Sequence, residues 1–218
     1  MNKPIQAIYF RDFPNAHIPE ILEEIYLKSI YTPFLSGKKD LTIVDIGANI
    51  GMTSYYFKDF AKMVYAVEPS EQHFETLTKM LEFNKITNVT PTKYAISNEN
   101  GTTKFYHNDN STMFSMESIV NNKNDFEEVE TITLEDYMKK YKIDKIDLLK
   151  LDMEGSESKF ILSDGFKNVA DKIKLIVGEY HEWTEMNKGM FKREFEELGF
   201  TFNWNYKTQA SVFSAIRL

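Results

Sequence analysis

The 218-residue chain has no cysteine. That excludes a disulfide scaffold, a cysteine-ligated metal or cluster, and a cysteine nucleophile. Long apolar runs are also missing. None approaches 18 residues, and Met1–Phe13 carries Arg11 and Asp12 where an export signal would need an apolar core. The expectation is a cytoplasmic chain without a membrane span. Positive charge is scarce as well, with 26 Lys plus Arg against 33 Asp plus Glu and a formal net charge of −7. Nucleic acid and anionic lipid both call for clustered positive charge, so neither is an expected partner. What remains is an aromatic-rich chain long enough for one full core, read as a single domain over residues 1–218.

Apolar, β-branched runs alternate with helical periodicity along most of that length. Leu41–Ile46, Met63–Val67, Val89–Ile96, Ile146–Leu151 and Ile173–Val177 read as strands. Met52–Phe60, Ser70–Asn84, Ser156–Leu162 and Glu185–Leu198 read as helices. Thr133, with Asp136 three residues on, caps another helix after a strand at Val129–Thr133. Gly101–His107 alternates like an edge strand, and Phe200–Tyr206 with Val212–Leu218 reads as a closing antiparallel hairpin. Ile18–Leu35 contributes an N-terminal helix, a cap over residues 1–38 ahead of a core spanning 39–218. Strands alternating with helices of this length predict an α/β fold around a parallel sheet, with ligands at the carboxyl ends of its strands.

Chemistry-bearing residues gather at those ends. Asp45-Ile46-Gly47-Ala48-Asn49-Ile50-Gly51 joins the first strand to the first helix, and Gly47 allows a ligand close to the backbone. The spacing is Gly-x-x-x-Gly rather than a dinucleotide fingerprint, so a nucleoside without pyrophosphate fits better. Glu68 ends the second strand, where an acid can accept hydrogen bonds from both ribose hydroxyls. Asp45 is placed to hold its turn or to meet a ligand ammonium. Asp152 and Glu154 follow the fourth strand, and Glu179 and His181 the fifth. Of these four, His181 is the expected base, because an ordinary imidazole titrates near 6.5. Glu179 could orient it if the chain bends. Asp152, Glu154, Glu157, Glu179 and His181 could alternatively gather a hard cation such as Mg²⁺, although no metal is expected. Lys150, inside an apolar strand, is expected to pair with one of these acids.

The remaining candidates are blander. His17, His73 and His107 read as solvated, and Phe202 and Trp204 as core. Only one of Tyr55 and Tyr56 can face the sheet. Trp183 is a candidate floor for an acceptor pocket, and Asn110–Phe114 a candidate lid.

Asp45–Gly51, Val67-Glu68-Pro69, Asn88–Ser97 and Lys150-Leu151-Asp152-Met153-Glu154-Gly155-Ser156-Glu157 together resemble the FkbM family of S-adenosylmethionine-dependent methyltransferases. The resemblance implies a three-layer, Rossmann-like class I fold, with a seven-stranded, mostly parallel sheet and a reversed terminal hairpin. It implies S-adenosylmethionine as cofactor and a hydroxyl as the usual methyl acceptor. Carried over by motif, Gly47, Ala48, Asn49 and Gly51 would line the methionine and ribose part. Glu68 would hold the ribose, with Pro69 and Ser70 beside the adenine and Ala95, Ile96 and Ser97 flanking it. Asp152 would meet the cofactor's amino group or the acceptor. The acceptor is expected to be a small molecule or carbohydrate. The alternatives are a nucleic-acid methyltransferase and a catalytically inactive S-adenosylmethionine-binding protein. Against the first, Asp152-Met153-Glu154-Gly155 stands where an amino-group DNA methylase has an Asn/Asp-Pro-Pro-aromatic segment.

Overall fold

A computed structural model describes residues 23, 25, 29–107, 114–115, 125–181, 186–205 and 212–218 of the chain. The first strand, β1 (Leu41–Ile46), pairs in parallel with β2 (Ala61–Val67), which in turn pairs with β3 (Val89–Thr92). The chain then returns to the other side of β1 with β8 (Leu148–Leu151) and β9 (Leu175–Glu179). β10 (Thr201–Trp204) and β11 (Val212–Ile216) close the sheet, β11 running antiparallel to both neighbours. The resulting order is β10-β11-β9-β8-β1-β2-β3, seven strands with one reversed. The direction of crossover switches between β1 and β8, and a crevice opens at the carboxyl ends there.

Both faces of the sheet are covered, so its strands read as continuous apolar runs. Val44, Ile46, Leu149 and Leu151 point to one face, against α4 (Leu134–Tyr141), α5 (Glu157–Leu162) and the aromatic cluster Phe191, Phe195, Phe202 and Phe213. Ile43 and Leu148 point to the other, against α2 (Met52–Phe57), α3 (Glu71–Phe83) and the segment Ile30–Leu35 that carries α1 (Thr32–Leu35). The expected core positions of Phe202 and Trp204 are met, Phe202 buried and Trp204 packed against it at 4.9 Å between ring centroids. Tyr55 and Tyr56 are each half-buried. Thr133 caps α4 by accepting from the Asp136 backbone N–H at 3.2 Å. The remaining helices are α6 (Asp164–Lys167) and α7 (Lys188–Glu197).

The expected third strand, Val89–Ile96, is two strands. β3 ends at Thr92, and Lys93-Tyr94 turn the chain out of the main sheet into β4 (Ala95–Ile96), which pairs with β7 (Phe126–Ile132). Pro91 is tolerated because β3 is an edge, where a missing N–H costs no ladder bond. Gly101–His107, expected at an edge, is β5, an inner strand of a second sheet ordered β4-β7-β5-β6, where β6 is Phe114–Ser115. The alternation that suggested an edge comes from burying one face, Phe105 and Val129 with Ala95, against the crevice side. Of the expected helix Ile18–Leu35, the segment before Ser29 lies largely outside the described residues, as do His17, Trp183 and Asn110–Met113.

Candidate functional site

The turn after β1 is built from left-handed backbone. Gly47, Asn49 and Gly51 have φ of 72°, 51° and 92°. The Gly47 and Ala48 amides both donate to the Val67 carbonyl at 3.0 Å, which fastens the turn to the end of β2. Glu68 continues from there, only 4 % exposed, accepting from the Asn49 N–H at 2.8 Å and the Ser70 N–H at 3.0 Å. Each carboxylate oxygen keeps acceptor capacity beyond those bonds. Gly51 packs away from the crevice, against Leu77 and Met80 of α3.

His73, read from the sequence as solvated, is buried, its Nδ1 3.6 Å from Glu68 Oε1. It stands in the first turn of α3, three residues after Ser70, and that helical offset carries it back over the end of β2. Tyr94, Phe105 and Tyr31 are further lining residues the sequence did not single out, because their contacts depend on the second sheet and the N-terminal segment.

Two cavities meet at the turn. One is lined among others by Gly47, Asn49, Glu68, Pro69, His73, Tyr94, Ala95, Ile96, Phe105, Asp152 and Glu154. The other includes Tyr31, Gly47, Ala48, Asn49, Lys150, Asp152 and Glu179. Gly47, Asn49 and Asp152 border both. Ser70 is fully buried with an unpartnered hydroxyl, and Ser97 lies outside both linings, in a third cavity.

Asp45 and Lys150 are register partners on β1 and β8 and share a sheet face. Lys150 Nζ lies 3.4 Å from Asp45 Oδ1 and 3.3 Å from Asp152 Oδ2, and donates to the Gly47 carbonyl at 2.8 Å. The expected Lys150–acid pairing is present. Asp45 is fully buried and also accepts from Ser54 Oγ at 2.6 Å, so it holds the turn from beneath and lines neither cavity. Burial pushes its pKa up.

After β8, Glu154 takes a left-handed φ of 49° and Gly155 one of 102°. Glu157 stabilises that turn. Its buried carboxylate accepts from the Met153 and Gly155 amides, both at 3.0 Å, and meets His181 Nδ1 at 2.7 Å. The orienting partner of His181 is thus Glu157, not Glu179, which follows the lining of the second cavity beside Tyr31. On its other side His181 Nε2 is 3.4 Å from Glu154 Oε2. Burial alone would lower the His181 pKa, but the bond to Glu157 and the charges of Glu157, Asp152 and Glu154 outweigh it and push it up to about 10. An imidazole already protonated at neutral pH cannot accept a proton, which removes the reason for choosing it as the base. Glu154 moves the other way from an ordinary carboxylate. Burial, reinforced by Asp152 and opposed by His181, pushes it up to about 8. Asp152, Glu157 and His181 offer ligand atoms within 4.8 Å of one another, but the Glu157 oxygens and His181 Nδ1 are already engaged in the bonds above.

These shifts fix the sign of one pH effect. His181 holds its proton more tightly in the folded chain, so its contribution is complete below about 6.5 and lost as pH rises through about 10. Glu154 is also raised, from 4.5 to about 8, so its contribution is lost as pH rises through about 8. Both oppose folding in alkali. The urea midpoint is expected to fall between pH 6 and pH 9.5 by more in the natural chain than in a Glu154→Gln, His181→Gln double variant; equal pH slopes would contradict the coupling.

Residues 45–207 match the family profile described as the methyltransferase FkbM domain. No curated protein matches the chain. Among solved structures, SMU.1697c of Streptococcus mutans, a candidate methyltransferase in complex with SAH, is 14% identical with a TM-score of 0.54, over 87% of this chain and 97% of that one. Precorrin-6y C5,15-methyltransferase of Geobacter metallireducens is 13% identical with a TM-score of 0.52, over 88% of each chain. A SAM-dependent methyltransferase of Aquifex aeolicus is 11% identical with a TM-score of 0.50, over 89% and 90%. Among the described residues no helix is long and apolar enough to cross a membrane.

Proposed function

The chain belongs to the FkbM methyltransferase domain family, and from that premise we propose that it transfers the methyl group of S-adenosylmethionine to a hydroxyl oxygen of a small molecule or sugar. The observation that carries the reading is Glu68, a buried acid at the carboxyl end of β2 whose two oxygens are aligned by the Asn49 and Ser70 amides. An acid so held is preorganised for two vicinal ribose hydroxyls. Ala95 and Ile96, with Tyr94 and Phe105, offer apolar faces for the adenine on one side of Glu68, and Pro69 lines the same cavity, while Ser70 supports it from behind by donating its backbone N–H to Glu68. Gly47, Ala48 and Asn49 lead from the first cavity into the second, the direction the methionine part takes. Asp152 has one buried oxygen, Oδ1, without a hydrogen-bond partner, which suits a ligand ammonium. Asp45 and Gly51 support the turn from behind.

When bound, the cofactor supplies a methyl group on a positively charged sulfur, which leaves as a neutral thioether. Glu154 would take the acceptor's hydroxyl proton as that hydroxyl oxygen receives the methyl group. Its high pKa makes it a strong base once ionised. His181 and Glu157 position it, and Glu179 faces the methionine end. The second-sheet residues around the first cavity exclude water from the transfer.

Calorimetric titration with S-adenosylhomocysteine tests the cofactor half, and labelled methyl transfer to a panel of hydroxylated acceptors tests the rest. Glu68→Ala is expected to weaken cofactor binding by about 2 kcal/mol or more, roughly 30-fold, by removing charge-assisted bonds. Glu68→Gln, which keeps one acceptor, should lose less. Unchanged affinity in the alanine variant would take Glu68 out of the site.

A further inference from the structure

A third cavity lies between the second sheet and α5. Its lining differs in kind from the other two. Ser97 and Asn98 come from the turn after β4, Thr103 from β5, Thr131 from β7 and Ser156 from the start of α5, with Met153 as an apolar face. Among them Ser156 is only 2 % exposed, and its hydroxyl has no hydrogen-bond partner. A buried hydroxyl without a partner is costly to keep and uncommon in a settled core. It makes sense where a ligand supplies the missing bond.

The cavity wall is preformed. Asn100 is locked on both ends of its amide, accepting from the Thr133 N–H at 2.8 Å and donating to Asp136 Oδ2 at 2.7 Å, which pins the β4–β5 turn to the start of α4. The position also fits the chemistry. Met153 borders both this cavity and the one holding Glu68, and Ser156 belongs to the same short turn as Asp152 and Glu154. A ligand here would reach Glu154 by passing over Met153.

We propose that this cavity is the acceptor subsite, and that it takes a polyhydroxylated, saccharide-like molecule; the assignment rests on the methyl-transfer reading above. Neutral hydroxyls and amides on several walls, with Met153 and Phe160 as apolar faces, match a ligand that presents hydroxyls in many directions and carbon–hydrogen faces between them. The exposed charges at the rim, Glu99 and Lys159, are of opposite sign and select no net ligand charge.

The test is saturation-transfer NMR on the protein loaded with S-adenosylhomocysteine, using an equimolar mixture of the methyl glycosides of glucose, galactose, mannose, xylose and rhamnose. Saturation of at least one glycoside is expected, with loss to background in both Ser156→Leu and Thr103→Tyr. Both variants should retain the S-adenosylhomocysteine affinity of the natural chain. The second lies on a half-exposed strand position, so a folding defect in the first does not decide the matter. A loaded natural chain that saturates no glycoside would overturn the assignment, as would a signal that survives both substitutions. Failure of the natural chain to bind S-adenosylhomocysteine at all would instead strike the cofactor reading on which it rests.

Discussion

Glu154→Gln is expected to lower turnover by roughly 10²–10⁴-fold, the range typical of a lost general base. Glutamine keeps the shape of the side chain and its place beside His181 Nε2, so cofactor affinity should stay close to that of the natural chain. The pH profile separates a base from a merely structural acid. In the natural chain the rate should rise as Glu154 ionises through about 8, because only the carboxylate can take the acceptor's proton. In the glutamine variant that limb should disappear and leave a flat residual rate. A variant with near-natural turnover, or one that retains the rise, would move the base elsewhere. His181→Gln should be milder. It removes the charge that holds Glu154 down, so the alkaline limb should shift upward rather than vanish.

Gly47→Ala should be the most damaging single methyl in the site. The residue sits at φ 72°, and an added Cβ would lie 2.0 Å from the Asp152 backbone carbonyl oxygen. Backbone strain alone costs about 1–3 kcal/mol. The clash cannot be relieved by a side-chain rotation, since the opposing atom is backbone and belongs to the other functional turn. Cofactor affinity is therefore expected to fall by roughly 10²-fold or more, the equivalent of about 3 kcal/mol, as Asp152 and the first turn are forced apart. Gly37→Ala is the internal comparison, because Gly37 has a similar φ of 75° and nothing within 4 Å of the added carbon. It pays the strain without the collision. If calorimetry with S-adenosylhomocysteine found the two variants equal, the close approach of Gly47 to Asp152 would have no part in binding.

Much of this site is legible in the sequence because the α/β pattern places strand ends together. Gly47, Glu68, Asp152 and Glu179 are each the last or next residue of a parallel strand and Asp45 is the last but one of its strand, so once the sheet is inferred they gather at one edge. The register of β1 against β8 even sets Asp45 beside Lys150, so that pairing follows from topology. Interactions that depend on turns are less accessible. The His181–Glu157 bond exists because Glu154 and Gly155 adopt left-handed backbone and fold α5 back over the end of β9, a geometry that spacing alone does not specify. The raised pKa of His181 follows from that bond, and it argues against the base that an ordinary imidazole pKa suggests. His73 was misread for a related reason. A histidine in a polar helix start looks solvated unless the packing of that helix against Glu68 is known. The break between Thr92 and Ala95 was hidden because both halves are β-formers, and only the partner strand β7 tells them apart.

Lys150 ties together parts that a methyl-transfer reaction must keep aligned. One ammonium bridges Asp45 beneath the first turn, the carbonyl of Gly47 within it, and Asp152 at the start of the second. The two turns are therefore not independent loops on a common scaffold. They behave as two jaws bolted through a single pin, and any tilt of one is carried to the other. In-line displacement tolerates little lateral error between donor and acceptor, and a shared pin converts thermal rocking of the sheet edge into motion of both jaws together, leaving the gap between them nearly constant.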